Sequence, residues 1–206
     1  MPKIESFERH TDAYDEWFER NIEVYQAELK AIEQLMPTKI VQAMEVGVGS
    51  GKFAVPLGIK IGVEPSLNMA KKAKEQGVEV YQGIAESLPF SDATFDLILM
   101  VTTICFVDDV VQSFDEISRV LKKNGQFIVG FVDKTSQLGR QYEQKRNTSK
   151  FYKEATFFST QEILDYLEER FVTTDIRQTL IANETTTTVN EGFGEGAFVA
   201  ILSHKK

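Results

Sequence analysis

The sequence predicts an α/β fold, a doubly wound and mostly parallel sheet with helices on both faces, and three observations predict it. Short apolar runs alternate with amphipathic segments between residues 40 and 132. The first run ends in glycines spaced one residue apart, Gly47, Gly49 and Gly51, which let the backbone turn sharply and come within contact distance of a ligand. The second ends in a carboxylate, Glu64, whose two acceptor oxygens suit the paired hydroxyls of a ribose. Loop and carboxylate together point to an adenosine-bearing ligand.

Each element follows from local pattern. From Phe7 to Leu35, apolar and aromatic residues recur at helical spacing (Tyr14, Trp17, Phe18, Ile22, Tyr25, Leu29, Ile32), and Pro37 ends the region, so residues 1–36 form an N-terminal helical cap. A strand over 40–46 feeds the glycine turn. Only roughly ten residues then precede the second strand, fewer than a parallel crossover usually takes, so the first helix must be short, with Pro56 near its start or end and Leu57-Gly58 closing it. A strand over 60–64, a helix over 67–76, strands over 78–83 and 95–101, a helix over 110–121 and a strand over 126–132 complete the alternation. Beyond Asp133 the character changes. Residues 134–150 are polar, and Phe151, Tyr152, Phe157 and Phe158 cluster before a helix over 160–170, with Ser159 or Thr160 as N-cap and Glu162 downstream. Strands over 172–180 and 197–203 follow, joined by a Thr/Asn/Gly-rich connection with a tight turn at 191–196.

With 206 residues, 42% of them hydrophobic, the chain fits one domain with a sizeable core. A formal net charge of -8 argues against a nucleic-acid partner, since phosphate binding needs a basic face. No basic leader precedes an apolar core and no apolar run is long enough for a bilayer, so a cytoplasmic protein without membrane contact is expected. Cys105 lies between Ile104 and Phe106 and reads as a small buried hydrophobe, and with only His10 and His204 in the chain no metal site is expected. Oligomeric state has no signature.

The glycine spacing separates two cofactor classes. In a dinucleotide fingerprint the third glycine would stand where Lys52 is, which disfavours an NAD-type oxidoreductase. The E-x-G-x-G-x-G stretch from Glu45 to Gly51 instead resembles motif I of the class I S-adenosylmethionine (SAM) dependent methyltransferases. Three further blocks continue the likeness: Val63-Glu64-Pro65-Ser66 resembles the acidic strand end, residues 83–96 the segment joining third and fourth strands, and residues 117–126 the helix and turn before the fifth. The resemblance implies a Rossmann-like sheet of seven strands in the order 3-2-1-4-5-7-6 with the last strand antiparallel. It also implies SAM as methyl donor, S-adenosylhomocysteine as product and no metal.

Carried over by position, the family's roles give Gly47, Val48, Gly49 and Gly51 to the methionine and ribose portions. Glu45 would hold the loop or the amino group, and Glu64 would take the ribose hydroxyls. Pro65, Ser66 and Met69 would flank adenine, and Ala85, Glu86 and Ser87 would meet its edge, although Ile84 replaces an Asp that many relatives use there. Thr102 and Thr103 occupy the motif IV position at the end of the fourth strand. Tyr14, Trp17 and Phe18 on one side, with Phe106, Tyr142, Tyr152 and Phe157 on the other, are the acceptor-site candidates, 134–159 being a substrate-covering insertion. His10, Tyr14 and Tyr142 are the candidate proton-transfer groups. Methyl transfer to a small-molecule amine, hydroxyl or carboxylate is the expected activity. A SAM-binding module without transfer activity, acting as sensor or partner subunit, is the alternative.

Overall fold

The computed structural model describes residues 3–206. Helices α1 (Glu5–Arg9), α2 (Thr11–Arg20) and α3 (Ile22–Glu33) precede β1 (Ala43–Val46), β2 (Ile61–Val63), α4 (Leu67–Glu75), β3 (Glu79–Tyr81) and β4 (Phe95–Val101). Then come α5 (Val110–Val120), β5 (Leu121–Val132), α6 (Gln137–Lys145), α7 (Thr160–Glu168), β6 (Phe171–Ile181), β7 (Val189–Glu191) and β8 (Gly196–Lys205). The sheet order is β3-β2-β1-β4-β5-β8-β6-β7. Strands β1 to β5 pair in parallel, and β8 lies antiparallel between β5 and β6.

Strand β4 explains why the sheet is covered on both faces. Its side chains alternate, and both sets are apolar: Ile98 and Met100 pack with Phe114 and Ile117 of α5 and Ile163 of α7, while Leu97, Leu99 and Val101 pack on the face that holds Ala31 and Ile32 of α3 and Ala73 of α4. Serine caps set two helix starts. Ser66 accepts from the Met69 amide ahead of α4, and Ser159 forms a capping box with Glu162 ahead of α7. Thr160, the other candidate cap, instead donates its hydroxyl to Asp133 Oδ2 at 2.6 Å.

The structure corrects the expected pattern at four places. The sheet has eight strands, not seven, because β7 pairs with β6 through Arg177↔Glu191, Gln178↔Asn190 and Thr179↔Val189. A three-residue strand is too short for a periodic signal. Side chains of β6 hold it: Thr179 donates to the Thr188 carbonyl at 2.6 Å, and Gln178 Oε1 accepts from the amides of Glu195 and Gly196. No helix follows the glycine turn; residues 52–58 form consecutive turns. Pro56 has no N–H to continue a helical ladder, and the Lys52 carbonyl accepts from the Tyr25 hydroxyl instead. The polar stretch after Asp133 contains α6, capped by Ser136, which accepts from the Gly139 amide at 2.9 Å. Finally, β5 starts at Leu121, whose pairing with Phe95 is separated from Leu97↔Gln126 by an irregularity.

Candidate functional site

A single turn shapes the floor of a cavity at the carboxyl ends of β1, β2 and β4. The amides of Gly47 and Val48 both donate to the Val63 carbonyl, at 2.8 and 3.1 Å, bending the chain away from β1 over the end of β2. Gly47 has φ +69°, and a Cβ there would lie 2.3 Å from Thr103 Oγ1, so only glycine fits beneath the threonine. Gly49 has φ +55° and faces Met69 and Tyr14. Its amide donates to Glu64 Oε2 at 2.9 Å, while the Ser66 amide donates to Oε1 at 2.9 Å. The Glu64 carboxylate, 6% exposed, is thus anchored by one backbone donor per oxygen and keeps acceptor capacity on each. Burial pushes its pKa up to about 7 against the opposing pull of those two amides.

The walls come from segments remote in sequence. Pro65, Met69, Gly83, Ile84, Ala85 and Glu86 line one side and Val101, Thr102, Thr103 and Phe106 another. Thr102 takes φ +51°, unusual for a β-branched residue, and its amide donates to the Gly130 carbonyl at 2.8 Å. The roof is aromatic. Phe7, Tyr14, Trp17 and Phe18 from α1 and α2 meet Tyr142 of α6 and Phe151 and Tyr152 beyond it. Tyr142 stacks on Tyr152 with ring centroids 4.9 Å apart, and Phe7 meets Phe106 edge-on at the same distance. Burial raises the hydroxyl pKa of Tyr14, Tyr142 and Tyr152, Tyr142 to about 12, so these phenols stay neutral.

The roof is latched to the floor. Asp15 of α2 accepts from the Ser50 hydroxyl at 2.6 Å and pairs with Lys72 of α4 at 2.7 Å; those donors outweigh the effect of burial and hold its pKa below the usual carboxylate value. Asn68 donates to the Glu8 carbonyl at 2.9 Å, fixing α1 to the start of α4.

Several of the expected site residues lie off the cavity wall. Val48 packs into the notch left by Gly62, where a Cβ would stand 2.5 Å from Val48 Cγ1. Glu45 is 1% exposed, its pKa is raised well above the usual value by burial, and it accepts from the Ala54 amide, so its contact is with the loop and its Oε2 has no partner among the described residues. Ser66 caps α4, Gly51 closes the turn against Val55, and Ser87 turns outward. His10 touches the rim through Phe151, at 6.4 Å between ring centroids, and Phe157 supports Tyr152 from behind at 5.6 Å. Ile84 does line the cavity, and the Glu86 carboxylate is taken by the amides of Asp108 and Asp109 at 2.6 and 3.1 Å. Cys105 is half-buried and donates to the Thr102 carbonyl at 3.2 Å, its thiol pKa raised to about 12 by burial.

Sequence reasoning missed Lys3, Ile4, Phe7, Glu28, Asp108 and Phe151, all on the wall. Glu28 had a readable signal, since it interrupts the apolar face of α3 formed by Ala27, Ala31 and Ile32. Among the described residues, no group of His, Cys, Asp and Glu could hold a metal ion, and no helix is long and apolar enough to cross a membrane.

The family model for a methyltransferase domain matches residues 44–129. A crystal structure from Thermotoga maritima, described as a SAM-dependent methyltransferase and possible histamine N-methyltransferase, is 47% identical and superimposes with a TM-score of 0.93 over 98% of this chain and 100% of that one. An uncharacterized protein of Methanocaldococcus jannaschii is 40% identical over 203 residues, 97% of this chain and 98% of the relative. At 14% identity, an S-adenosylmethionine-dependent methyltransferase from Mesorhizobium loti shares the fold, with a TM-score of 0.68 over 86% of this chain and 97% of that one.

Proposed function

This chain belongs to the class I SAM-dependent methyltransferase family, and from that premise we propose that it transfers a methyl group from SAM to a small-molecule acceptor inside the aromatic-roofed cavity. The observation that carries the reading is the continuity of one cavity from the glycine turn and Glu64 to the rings of Tyr14, Tyr142, Phe151 and Tyr152. Donor and acceptor thus share one enclosed space.

The residues present fit an adenosyl donor. The cradle at Gly47 is one that a Cβ would fill, and Glu64 retains an unused acceptor direction on each oxygen for the ribose hydroxyls. Pro65 and Met69 would flank the adenine, Ile84, Ala85 and Glu86 would border its edge, and Gly47, Gly49, Thr102 and Thr103, which line the same cavity, would surround the methionine end. With Ile84 on the wall, adenine would be held by apolar contact and backbone rather than by an Asp side chain. When bound, SAM supplies a sulfonium-activated methyl group that needs no further activation. The chain's own task is to align the acceptor and exclude water, which the roof does with rings latched through Asp15 and Glu8.

Amine, hydroxyl and carboxylate are the acceptor atoms this reading admits. In this reading the chain is a single methyltransferase domain working in the cytoplasm, with the 1–36 cap, described from residue 3 onward, 134–159 as cover and no nucleic acid or membrane as partner. Calorimetric titration with SAM, S-adenosylhomocysteine and NAD, followed by measurement of S-adenosylhomocysteine formed with an acceptor panel, tests the proposal. Binding of the adenosyl pair with turnover supports it. Tight SAM binding without turnover on any acceptor class favours a sensor module, and preferential NAD binding overturns both.

A further inference from the structure

The aromatic half of the cavity holds a carboxyl side chain that the SAM cradle does not use. Glu28 sits on the buried face of α3 beside Ala27, Ala31 and Ile32, is 4% exposed and lines the cavity. Among the described residues no hydrogen-bond donor or cation partners its carboxylate. The neighbouring charged groups of the wall are answered: Glu64 by the amides of Gly49 and Ser66, Glu86 by those of Asp108 and Asp109, and Lys3 by the Val107 carbonyl at 3.2 Å and Asp108 at 3.9 Å.

A buried carboxylate without a partner costs several kcal/mol, and an apolar residue would remove that cost. A ligand that brings both positive charge and N–H donors removes it equally well. The surroundings suit such a ligand. Tyr14 lies 6.0 Å from Phe151 and 5.0 Å from Phe18 between ring centroids, and Tyr142 and Tyr152 form the stacked pair opposite. Aromatic faces attract a cation and exclude water around it.

We propose that Glu28 is the acceptor-recognition residue of this cavity, and that it selects an amine, bound through its ammonium group to the Glu28 carboxylate within the ring of Tyr14, Tyr142 and Tyr152. The inference rests on the methyltransferase reading and narrows its acceptor from three chemical classes to one. A carboxylate acceptor meets like-charge repulsion when Glu28 is ionised and gains no ion pair when it is protonated, and a hydroxyl supplies a donor but no charge. Burial pushes the Glu28 pKa up to about 8, so the empty site is largely protonated near neutral pH; the ammonium favours the ionised carboxylate, which is then basic enough to accept a proton. One ammonium N–H bond breaks, its electron pair stays on nitrogen as the nucleophilic lone pair, and the proton forms an O–H bond on Glu28.

Calorimetry on the S-adenosylhomocysteine complex tests this without turnover. The probes are matched amine, alcohol and carboxylate sets on phenyl, indolyl and cyclohexyl scaffolds of two-carbon chain length. Wild-type protein is expected to bind the amines at least tenfold more tightly than their counterparts. Glu28→Gln should remove that preference while changing S-adenosylhomocysteine affinity less than twofold, and Glu28→Asp, which keeps the charge, should retain part of it. Near-unchanged melting temperatures establish that both variants fold. Equal or better binding of alcohols or carboxylates, an amine preference that survives in Glu28→Gln, or no amine binding at all overturns the proposal. So does a Glu28→Gln variant that loses S-adenosylhomocysteine rather than amines, which assigns Glu28 to the donor. A wild-type protein that binds no adenosyl ligand sinks the methyltransferase reading itself, a distinct result.

Discussion

Two carboxylates lining one cavity are buried to nearly the same degree, Glu64 at 6% and Glu28 at 4% exposure, and their surroundings differ completely. Glu64 stands where β2 ends and takes one backbone amide on each oxygen. Glu28 stands on a helix whose own amides are used in its ladder, so no backbone donor reaches it. Burial lifts both pKa values, to about 7 where amides oppose the rise and about 8 where nothing does. The strand end is therefore preorganised by main chain before any ligand arrives. The helical end is left for a ligand to complete.

The largest effect expected on that contrast comes from the glycine turn. Gly47→Val forces a side chain into Thr103 at a φ of +69°, and SAM affinity should fall by more than about 100-fold, read by calorimetry on protein whose circular dichroism is unchanged. Wild-type affinity in a folded variant would mean that the turn does not hold the donor. Next comes Glu64→Ala, which removes charge-assisted hydrogen bonds to the ribose and should weaken SAM binding by about 1 to 3 kcal/mol. An unchanged dissociation constant would remove Glu64 from the site.

A smaller effect separates the two ends by pH. The Glu64 pKa is raised on folding, so the native state binds more protons than the unfolded chain between the ordinary carboxylate value and about 7. Its contribution to stability is fully present below that window and declines as pH rises through it. SAM favours the ionised form, so affinity should rise up to about tenfold per unit as pH approaches 7 and then level off, and Glu64→Gln should flatten the profile. A profile identical in both proteins would contradict the assignment. The smallest effect tests the tie between α3 and the loop after the glycine turn: Tyr25→Phe loses the hydrogen bond to the Lys52 carbonyl and should lower the melting temperature by about 2 to 4 °C, near 1 kcal/mol. No change would mean that the loop after Gly51 holds its shape unaided.

Legibility in the sequence follows the range of the interactions involved. The parallel strands show as apolar runs because β4 buries side chains on both faces, and its bounds, Phe95–Val101, are legible in the sequence. The glycine turn and Glu64 were readable because the chemistry needs fixed residue types at fixed spacing over a few residues. Strand β7 was invisible, since its pairing depends on Gln178 and Thr179 reaching a loop, and the missing helix after Gly51 depended on Pro56 together with a hydroxyl from Tyr25. On the roof, Tyr14, Trp17 and Phe18 were named from helical spacing, but spacing does not distinguish a ring that lines a cavity from one that fills a core, as Phe157 behind Tyr152 illustrates.

What the chain encodes locally, then, is the alternation of strands and helices and a floor suited to an adenosyl group, because hydrophobic period and backbone freedom act between near neighbours, whereas the order of the strands came from the family resemblance. Tertiary structure alone decided which side chains of the cap and cover face inward. Glu28 and Tyr142 lie more than a hundred residues apart and come to one cavity only when α3 and α6 settle over the sheet. A carboxylate's partner, or the lack of one, is set by that long-range packing, which no window of sequence contains.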